Sequence, residues 1–221
     1  MGQKVHPIGF RIGVTRTWDS RWMFPDKKLF RVSLLTDIAI RKGIMNKFKF
    51  ALVTRVEIER AINKIVVIIH AVKPGMIIGR GGKGLEDVKG FIVDTVGERK
   101  VKDEKIKIDL RIEPVKKPYL NAHYVAADIA SKLERNLPHR SLIHHTTDRI
   151  MEAGAKGVKI QLAGRIRGAT IARREKYTEG SVPVSTLREN VDYAEVPAGT
   201  KSGYVGVKVW IARKEDEPED S

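Results

Sequence analysis

Apolar side chains recur along this chain with two periods, and the period changes several times. From Lys27 to about Met45, Phe30, Leu34 and Ile38, flanked by Leu35, fall at i, i+4 and i+8. That spacing predicts a helix with those residues on its core face, weakened near its end by Gly43 and Asn46. Leu52 to Arg60 alternates instead: Val56 and Ile58 against Arg55, Glu57 and Glu59, as in a half-buried strand. Ala61-Ile62-Asn63 makes a short connection, and the β-branched run that opens with Ile65 to Ile69 and reaches Val72 suits a central strand. So short a link predicts antiparallel pairing of the two. After a glycine-rich stretch, Leu85, Val88, Ile92 and Val96 form one helical stripe. From Lys105 to Glu113, Ile106, Ile108, Leu110 and Ile112 alternate inward, and Pro114 ends the strand. Residues 27–114 therefore read helix, strand, strand, glycine turn, helix, strand.

A second unit, 115–213, opens at Pro118. Leu120, Val125, Ile129 and Leu133 predict a helix ending near Asn136-Leu137-Pro138. A second helix runs from about His139 to Ala153 and stops at Gly154. From Lys156 the pattern is β-like: Val158 to Leu162, Ile166 to Lys176, Val182 to Leu187 and Tyr204 to Ile211. Turns are expected at Gly164, at Glu179-Gly180 and at Pro197-Ala198-Gly199. The expected class is α+β: helices on a three-stranded sheet, then two helices and a mostly antiparallel sheet.

Residues 1–26 keep neither period. They are rich in Gly, Pro and Arg, with Trp18 and Trp22 among them. They read as an arm ordered by a partner, with Arg11, Arg16 and Arg21 on phosphates and the two Trp as packing anchors. Residues 214–221 read as an acidic disordered tail.

Charge sharpens this picture. The 221 residues carry 42 Lys and Arg against 27 Asp and Glu, a net of +15 that favours a polyanion partner. Residues 1–114 hold +11 and residues 115–214 hold +9, so both halves are equipped to touch it. The absence of cysteine excludes disulfides and Cys-ligated zinc. No apolar run approaches the roughly 20 residues needed to span a bilayer. The start, Met1-Gly2-Gln3-Lys4-Val5-His6-Pro7, has no apolar signal-like core. A soluble intracellular protein without membrane contact is the expectation.

The stretch with the clearest chemistry is Gly79-Arg80-Gly81-Gly82-Lys83-Gly84. Glycines allow close backbone approach, two cations flank them, and a helix follows, so the target is a phosphate. Three sources compete: a dinucleotide, a nucleoside triphosphate or a nucleic-acid backbone. The stretch formally fits G-x-G-x-x-G, with Asp103 and Glu104 about 20 residues on where a ribose acid would stand. Yet Lys73 to Ile78 separates the strand from the first glycine, and no repeated βαβ unit surrounds it. A triphosphate loop would need Gly at Ile77 and Ser or Thr at Gly84.

Ile77-Ile78-Gly79-Arg80-Gly81-Gly82-Lys83-Gly84-Leu85 resembles the I-I-G-x-x-G-x-x-[IL] signature of KH domains, whose G-x-x-G loop clamps the backbone of single-stranded nucleic acid. The element order is that of the prokaryotic, type II, variant. Further along, Gly2-Gln3-Lys4-Val5-His6-Pro7, Gly154-Ala155-Lys156-Gly157-Val158-Lys159, Gly164-Arg165, Gly180-Ser181-Val182-Pro183 and Gly206 to Ile211 extend the likeness. Over residues 1 to about 213 the chain resembles the bacterial-type KH-containing third protein of the small ribosomal subunit.

That resemblance implies a structural constituent of the subunit head. It would bind rRNA, line the channel where mRNA enters, and contact neighbouring head proteins, the tenth and fourteenth among them. The ribosome would be cytoplasmic, an organellar one remaining open. No cofactor, metal or catalytic residue is implied. The implied RNA contacts are Gly79, Arg80, Gly81, Gly82 and Lys83 in the loop and Arg140 and His144 on the second C-terminal helix; the residues themselves add Arg11 in the arm and, clustered within ten residues of a basic chain, Arg165, Arg167, Arg173 and Arg174 in the sheet region. Family members usually carry a dense basic cluster on that helix. Here His139-Arg140-Ser141-Leu142-Ile143-His144-His145 keeps Arg140, while Ser141 replaces an arginine and His144 a lysine. Three histidines so close could also suggest a metal site, but no carboxylate pattern accompanies them. A free KH-domain RNA regulator or chaperone, and a nucleotide-dependent enzyme, are the alternative classes.

Overall fold

The computed structural model describes residues 4–61, 64–97 and 107–214. The chain divides into two compact units, Trp18–Val115 and Met1–Thr17 with Lys116–Ser221. The N-terminal residues are thus shared out: α1 (Pro7–Arg11) belongs to the unit of the C-terminal half, and the two-residue β1 (Ser20–Arg21) to the other. The acidic tail, apart from Lys214, and the pair Asp103–Glu104 lie outside the described residues.

In the unit around residues 18–115, α2 (Lys27–Lys47) is followed by β2 (Val53–Ala61) and β3 (Lys64–Ala71). Then come α3 (Pro74–Ile78), α4 (Lys83–Gly97) and β4 (Lys107–Pro114). The sheet order is β1-β2-β3-β4. β2 and β3 pair antiparallel, while β3 and β4 run parallel. The expected three strands therefore gain a short fourth, because β1 adds in parallel to β2 through Ser20↔Ile58. Ile65, Val67 and Ile69 on the interior strand β3 are buried. Val88, Ile92 and Val96 of α4 close over the sheet with Ile58 and Ile77. Each such aliphatic side chain contributes about 1.5–3 kcal/mol by leaving water.

Helix α2 is where periodicity misleads. Its buried residues are Ser33, Thr36, Asp37, Ile40 and Ile44, while Leu34, Leu35 and Ile38 face outward. The helix turns this face inward to bring Asp37 to Arg60, whose Nε donates to Oδ1 at 2.8 Å, and to Trp22, whose Nε1 donates to Oδ2 at 2.7 Å. An uncompensated buried carboxylate would be prohibitive, so these two partners fix the rotation. Phe30 packs at one edge, 5.3 Å from the Trp22 ring. Trp22 is thus an anchor, whereas Trp18 is exposed. Gly43 does not end the helix: the Phe91 ring lies where a Cβ would stand, 2.1 Å away, so it marks close packing of α2 on α4.

In the other unit, α5 (Ala122–Glu134) and α6 (His139–Glu152) precede β5 (Gly157–Gly164), β6 (Arg173–Gly180), β7 (Val191–Thr200) and β8 (Gly203–Ala212). The sheet order is β6-β5-β8-β7, and every pair is antiparallel. Val125 and Ile129 of α5 and Ile143 and Ile150 of α6 pack on Ile160, Leu162, Val207 and Val209. Asn121 caps α5 by accepting from the amides of His123 and Tyr124. Two expectations fail here and a third is shortened. The expected turn at Pro197-Ala198-Gly199 lies inside β7, an edge strand, where a missing amide donor is tolerated. Val182 to Leu187 is not a strand. Several of its carbonyls turn to Arg11 instead. The expected strand from Ile166 begins only at Arg173, after a single 3-10 turn at Ile166–Gly168.

Candidate nucleic-acid interface

The loop between α3 and α4 is built by backbone freedom. Pro74 opens α3, and the Gly79 amide closes it on the Gly75 carbonyl at 3.0 Å. Gly79, Gly81 and Gly82 hold φ of 69°, 66° and 79°, a region costly to other residues. Gly84 serves a different end. A Cβ there would lie 2.2 Å from the Ile77 carbonyl oxygen, so α4 starts against the backbone of α3. Buried Ile77 pins the turn from below. Gly79, Arg80, Gly81 and Lys83 are exposed and Gly82 is half-buried, at the free amide end of a fifteen-residue helix. The arrangement offers a phosphate N–H donors, helix-end charge and two cations.

Helix α6 presents a second surface. His139, Leu142, Ile143, Thr146, Thr147 and Ile150 are buried, which leaves Arg140, Ser141, His144, His145, Asp148 and Arg149 on one exposed face. Beneath its first turn lies a polar cluster. His139 Nε2 sits 3.0 Å from Glu175 Oε2, and the Tyr177 hydroxyl donates to the same oxygen at 2.7 Å. The Tyr177 bond draws the Glu175 carboxyl below its usual pKa against the effect of burial, helped by His139 and Arg173. Burial first, then Glu175, push the Tyr177 phenol up, and Arg140 opposes both. The edge of His144 packs on Tyr177 at 6.4 Å. Further along, Arg149 donates to the Tyr119 hydroxyl at 2.8 Å and stacks over that ring, with His145 3.4 Å away. The three histidines thus point to three different partners.

The four arginines of the sheet region gather at one end without forming one patch. Arg165 stitches its own turn, donating to Ala169 O at 2.9 Å and Ser202 O at 3.4 Å. Arg167, exposed, holds a left-handed φ of 55° next to Gly168. Arg173 lies on the helix side of β6, paired with Glu175 at 2.8 Å. Arg174 lies on the opposite side, among Lys159, Lys208 and Trp210.

Arg11 corrects the reading of the arm. Its side chain is fully buried, and its guanidinium donates to the carbonyls of Pro7, Pro183, Val184, Thr186 and Glu189 at 2.7–3.2 Å. Burial and neighbouring Arg16 pull its pKa down, and Glu189 pulls the other way. Buried and turned onto these carbonyls, it is closed to a phosphate. Arg16 ends on buried Asp192 at 3.0 Å, and Arg21 reaches Glu57 and Glu59. Two contributors were missed from sequence. Gly84 looked like one more loop glycine, and Arg149 was not read as part of the exposed half of α6, whose opposite margins it and Arg140 mark, about 180° apart around the helix.

A glycine loop between two helices on a β2-β3-β4 sheet, in an excessively basic chain, defines an RNA-binding protein of the KH class. The comparisons agree: a family described as KH domain matches residues 39–120, and one described as Ribosomal protein S3, C-terminal domain matches residues 129–211. The small ribosomal subunit protein uS3 of Streptococcus pyogenes serotype M5 (strain Manfredo) is 44% identical over 215 residues, covering 97% of this chain and 94% of that protein. The same figures hold for the protein of that name from Streptococcus agalactiae serotype III (strain NEM316). The chain belongs to the bacterial-type uS3 family of ribosomal proteins.

Proposed function

We propose that this chain is a non-enzymatic constituent of the small ribosomal subunit in the cytoplasm, where it binds rRNA and lines the path by which mRNA enters. The observation that carries the ribosomal role is likeness to uS3 relatives across 97% of the chain, both units included. Phosphate binding is assigned to Arg80, Lys83 and the amides of the Gly79–Gly82 loop. The exposed face of α6, with Arg140, His144 and Arg149, is assigned to mRNA. Its lower cation content than is usual in family members predicts weaker grip on structured mRNA. Arg167 and Arg174, both exposed and without a carboxylate partner among the described residues, fit rRNA better than Arg165 and Arg173 do. The apolar stripe Leu34, Leu35 and Ile38, left outside on α2, supports contact with a neighbouring head protein, the tenth or fourteenth being the expected ones.

Cosedimentation tests this against a free KH regulator. In a moderate-salt gradient the chain is expected to travel with small subunits, and recovery only from ribosome-free fractions would overturn the reading. Micromolar binding of ATP or a nicotinamide dinucleotide to the isolated chain would overturn the backbone-phosphate assignment.

A further inference from the structure

We infer that the outer face of the β6-β5-β8-β7 sheet is a separate site for an RNA backbone, centred on Lys159 and flanked by Lys4 and Lys176. It rests on the reading above that the chain binds RNA. Cross-strand partners share a face, so the register sorts the side chains. Val158, Ile160, Leu162, Val207, Val209 and Ile211 point into the core. Their sequence neighbours therefore form an outer grid. Lys159 stands between Thr178 and Trp210, Gln161 between Lys176 and Lys208, and Ala163 opposite Arg174. On β7, Tyr193 and Glu195 complete the first two rows. The N-terminal segment brings Lys4 and His6 to the same groove.

The charge of this face is one-sided. Among the described residues its strand positions hold four cations and one carboxylate, Glu195. That carboxylate is already bound by Lys208 at 3.2 Å and by the Tyr193 hydroxyl at 3.1 Å. Lys159 lies over the Trp210 ring at 5.3 Å. Burial, with Lys4 and Lys176 pressing on it, lowers its pKa. A phosphodiester chain neutralised by these lysines would release its own condensed cations, and relieve their mutual repulsion. Around Lys159 base stacking is not on offer: Trp210 is only 8% exposed, and the Tyr193 ring is wedged between His6 at 4.9 Å and Trp210 at 5.1 Å. There the contact is to backbone and indifferent to sequence.

The test uses the full chain with the substitutions Lys4→Gln, Lys159→Gln and Lys176→Gln together, which keep the apolar stems. Binding of a fluorescently labelled RNA hairpin is followed by anisotropy across a salt series, beside a Gly81→Asp, Gly82→Asp chain. The lysine variant is expected to lose about 2–3 from the slope of log K against log salt, and about tenfold or more in affinity. An unchanged slope, with normal hairpin binding by the unaltered chain, overturns this inference alone. Failure of the unaltered chain to bind any hairpin overturns the RNA reading with it. Independently of how the variant folds, hairpin must protect Lys4, Lys159 and Lys176 of the unaltered chain from acetylation. Protection by a polyglutamate peptide but not by RNA would assign the face to an acidic protein and overturn the inference.

Discussion

Two stretches of this chain look alike as text and do opposite things. The arm around Arg11 and the loop around Arg80 are both short, basic and glycine-bearing. In the loop the cations stay outside, and among the described residues no carbonyl or carboxylate claims them. In the arm the protein supplies the acceptors itself. Five carbonyls surround Arg11, and Asp192 takes Arg16. A count of basic residues gives total charge, and the acceptors within reach decide how much of it a polyanion meets. Arginine suits the arm's role because its fork carries five donors and remains charged when buried.

The comparison breaks first at Arg11. Arg11→Met removes every donor of the guanidinium and takes that partner from carbonyls of the 183–189 segment. The expected loss is about 3 kcal/mol or more, a fall of roughly 6–12 °C in melting temperature for a chain of this size. A variant that melts normally but loses RNA affinity would restore Arg11 to the phosphate-binding set. Asp192 carries an effect of the same order, with a pH signature. Burial pushes its carboxyl up, yet Arg16, Arg213 and the Ala122 amide (2.7 Å) together hold the pKa below the usual value. A carboxylate depressed in the folded state contributes its full stability above its unfolded pKa of about 3.9, and that contribution fades as pH falls through the lower folded value. The melting gap between the native chain and Asp192→Asn should therefore be constant near neutrality and narrow only below about pH 4. A gap that begins to close near pH 6 would mean the carboxylate is not held by these cations.

The loop gives the next test, and its glycines separate two causes. Gly84→Ala forces a Cβ to within 2.2 Å of the Ile77 oxygen, so it should destabilise that unit by about 1–3 kcal/mol. Gly81→Asp with Gly82→Asp meets open space. Its cost is conformational, about 1–2 kcal/mol for each left-handed residue, eased because Asp tolerates that region. The unit should stay folded by circular dichroism while RNA affinity falls about tenfold through lost loop geometry and added negative charge. Unchanged binding of single-stranded RNA by the double variant would show that the loop takes no phosphate.

The loop was legible because its signal is local. Ile77-Ile78-Gly79 and the glycines after it specify a turn within ten residues, and the flanking strands and helix keep clean periods. What sequence hid was set by partners far along the chain. The stripe Phe30, Leu34, Ile38 is more apolar than the buried Ser33, Thr36, Asp37, Ile40, Ile44, and only Arg60 and Trp22 explain why the second face turns inward. Arg11 meets carbonyls more than 170 residues away. Strand β7 was obscured by Pro197 and Gly199, which read as a turn unless the strand is known to lie at an edge. Family resemblance supplied the RNA-binding role but not the fate of individual arginines, since each depends on the acceptors around it.

Arg140 is the smallest expected effect and the finest probe of the same contrast. It sits on the exposed face of α6, close enough to Tyr177 to oppose the rise of that phenol's pKa, and no carboxylate pairs with it among the described residues. By the rule drawn from the arm, a cation held by the neutral Tyr177 phenol and by no carboxylate remains available to RNA. Arg140→Ala removes one surface charge and no core contact, so stability should move by less than about 0.5 kcal/mol. Translation of a message with a stable hairpin should slow a few-fold relative to an unstructured message, consistent with loss of about one phosphate contact. Incorporation of the variant into small subunits should stay normal, because α6 keeps its buried face. Equal loss in incorporation and in reading through the hairpin would mean that Arg140 holds rRNA. The exposed face of α6 would then belong with the structural contacts of the chain and not with the path of the message.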